Sequence, residues 1–176
     1  TPQGILDWRK AVGAEKANEV MRAAGDRGSK VHKIIESCLS NKPENDLVGN
    51  YGELAARLFG QMVPALYKID RIRTLEQALY STRLGIAGRV DCIAEFDGKL
   101  STIDFKTATR KRDKINENHP VQATFYSIAW EERTSEKIEQ IVILTTTETG
   151  ELDVYMDDPS KHVERLEEMI TEYKSG

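Results

Sequence analysis

Residues 88–107 read GRVDCIAEFDGKLSTIDFKT, the pattern of a β-hairpin. Two runs of strand-forming residues, 89–96 and 100–106, flank Asp97-Gly98, a pair suited to the positive φ angles of a tight turn. With those two residues as the loop, Phe96 faces Lys99, and carrying the pairing back sets Asp91 opposite Asp104. Side chains alternate along a strand, so Asp91, Asp104 and Lys106 share one face. Val90, Cys92, Ala94, Phe96, Ile103 and Phe105 take the other face as a core-facing set. A one-residue slip would send both acids into the core. Facing residues hold their Cβ atoms roughly 5 Å apart, where like charges are destabilising without a counter-ion. That conflict asks for a divalent cation, and two carboxylates with water oxygens suit a hard ion such as Mg²⁺. The plain alternative is an exposed hairpin face whose acids are neutralised by Arg89 and Lys106, in ion pairs worth little.

Upstream of the hairpin the chain reads as helical. Residues 4–24 suggest one or two helices broken near Gly13, with Ala14, Ala17, Val20, Met21 and Ala24 at helical spacing. Gly25-Asp26 reads as a break, followed by a helix over about 27–40 with the apolar stripe Val31, Ile34, Ile35, Cys38 and Leu39. A Gly/Asn/Pro-rich linker spans 40–50. A helix over about 51–68 follows, with a kink expected at Pro64. The pattern then changes, and 73–80 and 84–87 look like strands ahead of the hairpin.

Downstream, 107–119 is polar and holds the basic cluster Arg110, Lys111, Arg112 and Lys114, a loop with almost nothing to bury. Pro120 suits the first turn of a helix running to about Arg133, with Gln122 and Tyr126 beside its core face. Residues 138–146 include Ile141-Val142-Ile143-Leu144, a strand covered on both faces. A short strand follows at 152–156. Asp158 is a good helix cap and Pro159 a good first residue for the final helix, which carries Val163, Leu166, Ile170 and Tyr173. His119, His162, Trp8 and Trp130 read as turn, surface and packing residues, with Trp130 also able to stack on a base.

Bulk numbers narrow the class. A chain of 176 residues, 31% charged and 39% hydrophobic, suits one globular domain of mixed α/β type. No apolar run reaches membrane-spanning length, and no signal-peptide pattern opens the chain. Cys38 and Cys92 fall in apolar settings and read as buried thiols of a reducing, intracellular compartment. The chain begins at Thr1, so a trimmed mitochondrial targeting segment stays open beside a bacterial or phage cytoplasmic setting. A net charge of −4 argues against a general nucleic-acid coat; a nucleic-acid enzyme would need its positive charge locally.

Taken together, Gly-Arg-Val-Asp followed by Ile-Asp-Phe-Lys resembles the active-site core of the PD-(D/E)XK nucleases. Residues 27–32, Arg-Gly-Ser-Lys-Val-His, are similar to the Gly-x-x-x-His motif of the RecB-like branch, and Gln122-x-x-x-Tyr126 to its later helix motif. Within that branch the chain resembles the mitochondrial genome maintenance exonucleases and their phage-encoded relatives. The resemblance implies a restriction-endonuclease-like core, a mixed central sheet flanked by helices in the order helices–βββ–α–β. One domain would span 1–176, with a helical part to residue 70 and a catalytic core from 71. It implies an exonuclease on single-stranded DNA serving replication, repair or recombination. A flap endonuclease and a non-catalytic DNA-binding module are the alternatives.

The same resemblance assigns roles. Asp91, Asp104, the Phe105 carbonyl and His32 would hold Mg²⁺ or Mn²⁺. Lys106 would position the attacking water, and Gln122 and Tyr126 would line the site. Glu76 is either a further ligand or a salt-bridge partner. Glu36, one turn after His32, could bond its free ring nitrogen. Arg110, Lys111 and Arg112 are either DNA-backbone contacts or a solvated loop. The cysteines of iron–sulfur relatives are missing, so no cluster is expected. Helicase motifs and phosphate-cradling glycine loops are also missing, so unwinding would fall to a helicase, polymerase or recombination partner. A proline usual before the first acid is replaced by Val90.

Overall fold

The computed structural model describes residues 3–175. Its contacts divide the chain into two compact units that meet between Arg57 and Leu58. The first unit is helical. Helix α1 (Gln3–Val12) and helix α2 (Ala14–Leu39) are separated at Gly13, whose φ of 88° few other residues adopt without strain. The expected break at Gly25-Asp26 is absent, and α2 continues through it for 26 residues. Ala23, Ala24 and the Lys30–Asp26 ion pair one turn apart support the helix there, against a glycine penalty of about 1 kcal/mol. Val31, Ile34 and Ile35 are buried as the stripe requires, while Cys38 is only half-buried, a correction to its reading as a core thiol. The 40–50 linker is not wholly irregular, because a short helix α3 (Leu47–Tyr51) starts there, capped by the Asp46 carboxylate on the Gly49 N–H.

Helix α4 (Glu53–Leu66) crosses the division and passes through Pro64 without ending. The second unit is built on one five-stranded sheet in the order β1-β2-β3-β4-β5. Strand β1 (Ile69–Ser81) pairs antiparallel with β2 (Ile86–Phe96), and β2 with β3 (Lys99–Ala108). Residues 84–87 are not a strand of their own; a turn at Gly85 (φ 69°) leads directly into β2. Helix α5 (Asn118–Thr134) crosses over so that β4 (Gln140–Thr147) lies parallel to β3, and β5 (Leu152–Asp157) closes the sheet antiparallel. Asp158 caps a 3-10 turn at Pro159–His162 through the Ser160 N–H, and helix α6 (Val163–Ser175) follows.

The sheet centre is covered on both sides. Ile141, Val142, Ile143 and Leu144 are each at most 1% exposed. Full burial of such side chains contributes about 1.5–3 kcal/mol apiece. On one side, α5 brings Val121, Phe125, Ala129 and Trp130 into a cluster with Leu79, Val90 and Ile93, and the Ser127 hydroxyl bonds Thr102 on β3 at 2.8 Å. On the other side, the last turns of α4 meet β4: the Leu58 carbonyl accepts from Thr146 Oγ1, and Gln61 Nε2 donates to the same hydroxyl. Among the described residues no helix is long and apolar enough to cross a membrane.

Candidate active site

The hairpin has the expected register. Asp97 (φ 51°) and Gly98 (φ 81°) form the turn, and pairing runs from Phe96↔Lys99 to Cys92↔Ile103. One step further the ladder ends, and the Asp91 side chain reaches across: its Oδ2 accepts from the Phe105 N–H at 2.9 Å. Asp104, paired on its other edge with Ile143 of β4, is 6% exposed. Lys106 Nζ lies 3.1 Å from Asp104 Oδ2. That ammonium is close enough to attract but badly aimed, so Oδ2 is buried without a hydrogen bond. The face of Asp91, Asp104 and Lys106 is therefore more enclosed than an exposed hairpin face.

Two carboxylates in this enclosure cannot both stay charged cheaply. Burial first, then the hydrogen bond with and charge of Asp104, push the Asp91 carboxyl far above the usual carboxylate range; the Glu76 charge adds to this and the Phe105 N–H opposes it. The excess negative potential, with an unfilled buried carboxylate oxygen, is what a hard divalent cation relieves. The donors present fit such an ion. Asp91 and Asp104 carry the carboxylates, and Phe105 between Asp104 and Lys106 brings a backbone carbonyl.

Glu76 joins this group from β1. Leu75↔Cys92 and Gln77↔Val90 bracket it, so it stands opposite Asp91, and a carboxylate oxygen of each lies within 4.8 Å of the other. Both readings of Glu76 find a basis, because Arg89 Nε also donates to its Oε2 at 3.2 Å. Its φ of 47° is strained for a non-glycine residue inside a strand, a feature that concentrates at functional sites.

Helix α5 supplies the opposite wall. The Tyr126 hydroxyl bonds with the Arg89 backbone N–H and the Gln122 side chain. Burial, then the charges of Asp104 and Asp91, push the phenol up to about 12, so it remains a hydroxyl at neutral pH. Gly88 permits this approach: a Cβ there would lie 3.0 Å from Tyr126 Cε1 and 3.1 Å from Phe125 Cε1. The loop after β3 carries Arg110, Lys111, Arg112 and Lys114 exposed, and with Lys106 they line a pocket of about 260 Å³. His32, half-buried, and Glu36, exposed, sit one turn apart on α2 in the first unit.

One residue of the site escaped the sequence. His119 lines the basic pocket and is half-buried. Burial, then Lys106 and Arg112, hold its imidazole below the usual range, with Asp104 opposing. It precedes Gln122 by three positions and Tyr126 by seven, the spacing of one helix face, and that spacing was its only signal.

Comparison with known proteins gives the family of this fold. The model of the PD-(D/E)XK nuclease superfamily matches residues 7–174, and the chain belongs to that superfamily. The mitochondrial genome maintenance exonuclease 1 of Mus musculus is 31% identical over 102 residues, covering 57% of this chain and 30% of that protein. Its Homo sapiens counterpart is 31% identical over 108 residues, covering 57% and 29%. The chain thus spans about a third of the length of these curated relatives or less. A solved structure from Eubacterium rectale, of a protein provisionally named an exonuclease, matches with a TM-score of 0.50 at 10% identity, covering 82% of this chain and 63% of that one. At that identity it speaks for the fold alone.

Proposed function

We propose that this nuclease is a divalent-metal-dependent deoxyribonuclease, an exonuclease acting on single-stranded DNA. The enclosed pair Asp91 and Asp104, with Lys106 at 3.1 Å, carries the reading. Asp91, Asp104 and the Phe105 carbonyl would hold Mg²⁺ or Mn²⁺, with Glu76 as a further ligand. His32 is added on its Gly-x-x-x-His motif alone, with Glu36 to orient it, and the one-domain reading of 1–176 accords with a family match that runs nearly end to end. When bound, such an ion supplies Lewis-acid polarisation of a phosphoryl oxygen and acidifies water.

The chain's own residues do the rest. Lys106 holds the attacking water by hydrogen bonding and faces the charge that develops on the phosphate. Tyr126 and Gln122 hold the α5 wall in position through Arg89 and contact the substrate. Arg110, Lys111 and Arg112 attract the phosphate backbone, a contribution that weakens with salt. One support favours exonuclease action: the relatives bear that name.

The test uses single strands labelled at the 5′ or the 3′ end, beside circular single strands, with Mg²⁺ or Mn²⁺. The reading predicts loss of linear strands, survival of circles, and no activity with chelator. Cleaved circles would replace it with an endonuclease. Tight binding without cleavage in either metal would replace it with a DNA-binding module.

A further inference from the structure

Between α5, α6 and the start of β2 lies a groove of about 700 Å³ whose apolar walls the chemistry above leaves unused. Its walls are apolar: Ile86, Phe125, Met169, Ile170 and the ring of Tyr173. Tyr173 is 81% exposed, an aromatic side chain held at the rim without being part of the core. The end nearest the catalytic residues is polar, formed by Asn118, His119, Gln122 and Tyr126. His119 is also a wall of the basic pocket that holds Lys106, Arg110 and Arg112. An apolar slot and a cationic pocket thus share one side chain beside the reacting centre.

A ligand that fills both must join a flat apolar body, with hydrogen-bonding edges, to an anion. A nucleotide has that composition. We propose that the groove receives a nucleobase of a single strand whose neighbouring phosphates lie in the basic pocket. This deepens the proposed function and rests on it. The base lies among Phe125, Met169 and Tyr173, and the amides of Asn118 and Gln122 meet its polar edge. Bases in a duplex are paired and stacked and have no free face to offer, so the groove favours single strands. Stacking of this kind tolerates any base, because every base has a π-face. The continuity through His119 into the cationic pocket is what favours a nucleic acid over a second copy of the chain, which would need only the apolar walls.

The test measures fluorescence anisotropy of a labelled oligothymidylate and of an abasic strand of equal length, in EDTA so that nothing is cut. Wild type should bind the base-bearing strand about tenfold more tightly or better. Tyr173→Ala, at an exposed position that leaves folding intact, should erase most of that preference without weakening abasic binding. Met169→Gln should lessen the preference too, by placing a polar amide in the slot with no change of charge. Equal binding of both strands by wild type overturns the proposal, as does an unchanged preference in both variants. A change in sedimentation mass with the preference unchanged would assign the groove to self-association and overturn it too. Cleavage with Mn²⁺ is read separately. A preference that behaves as expected in a protein that never cuts would sink the nuclease reading and leave the groove standing.

Discussion

Two acidic clusters sit on the same sheet and are handled in opposite ways. At the end of β5, Asp157 is surrounded by donors: the Asp158 N–H, Tyr155 Oη, Lys161 Nζ and His162 Nε2 all approach its carboxylate within 3.1 Å. Against the burial that would raise it, these bonds bring the carboxyl down to about 2. On β2 and β3, Asp91 and Asp104 face each other with one backbone N–H, one poorly aimed ammonium and a third carboxylate nearby. A neutralised carboxylate ties a loop down. Two buried carboxylates that face each other cost stability, which a bound cation would recover.

The contrast breaks most visibly at the catalytic residues. Asp104→Ala and Lys106→Ala should each lower cleavage about 10³-fold with Mn²⁺ present, while circular dichroism shows the fold retained. His32→Ala tests the ligand assigned by motif alone, and activity equal to wild type would remove it. Gly88→Ala comes next: the new methyl group meets both Tyr126 and Phe125, and a displaced wall should cost up to about 10²-fold in rate. Wild-type activity there would mean that the position of Tyr126 does not matter.

Stability should move in opposite directions at the two clusters. Asp157→Asn removes the charge and turns one of the two acceptor oxygens that Lys161 and His162 share into an N–H donor, and should cost about 2 kcal/mol, read by urea unfolding at neutral pH. Metal-free Asp104→Asn removes the repulsion and should raise the melting temperature by about 2–4 °C, the shift that about 1 kcal/mol produces in a chain of this size. The pH dependences differ in sign as well. Asp157, held below its ordinary 3.8, contributes stability above that value and loses it as pH falls through about 2. Asp91, held above 3.8, binds its proton more tightly when folded, so metal-free stability falls as pH rises through its raised value. Added Mn²⁺ should reverse that fall in wild type, because only the folded state binds it.

Much of this was legible in the chain because the signals were local. The Asp97-Gly98 turn fixed the hairpin register, the 141–144 run announced a strand covered on both faces, and Asp158-Pro159 marked the entry to the last helix. One failure was itself local, and the others depended on contacts distant in sequence. Gly25-Asp26 looks like a stop by composition, yet the helix formers on both sides carry α2 through it. Alternation in 89–106 predicted one buried face, whereas Thr102 and Asp104 are buried on the other, because α5 covers it and Ser127 satisfies Thr102. Glu76 could be placed beside Asp91 only once the irregularity between Asp70 and Thr74 had set the β1 register. His119 required the crossover helix to return toward Lys106. Sequence thus indicated which residues carry charge, and the packing showed which of those charges are brought together.

The most direct measurement is calorimetric titration of Mn²⁺ into wild type and Asp104→Asn in buffers of different ionisation enthalpy. Saturable binding by wild type, with proton release from Asp91, and none by the variant is the predicted result. Equal binding by the two proteins would place the metal elsewhere and contradict the account.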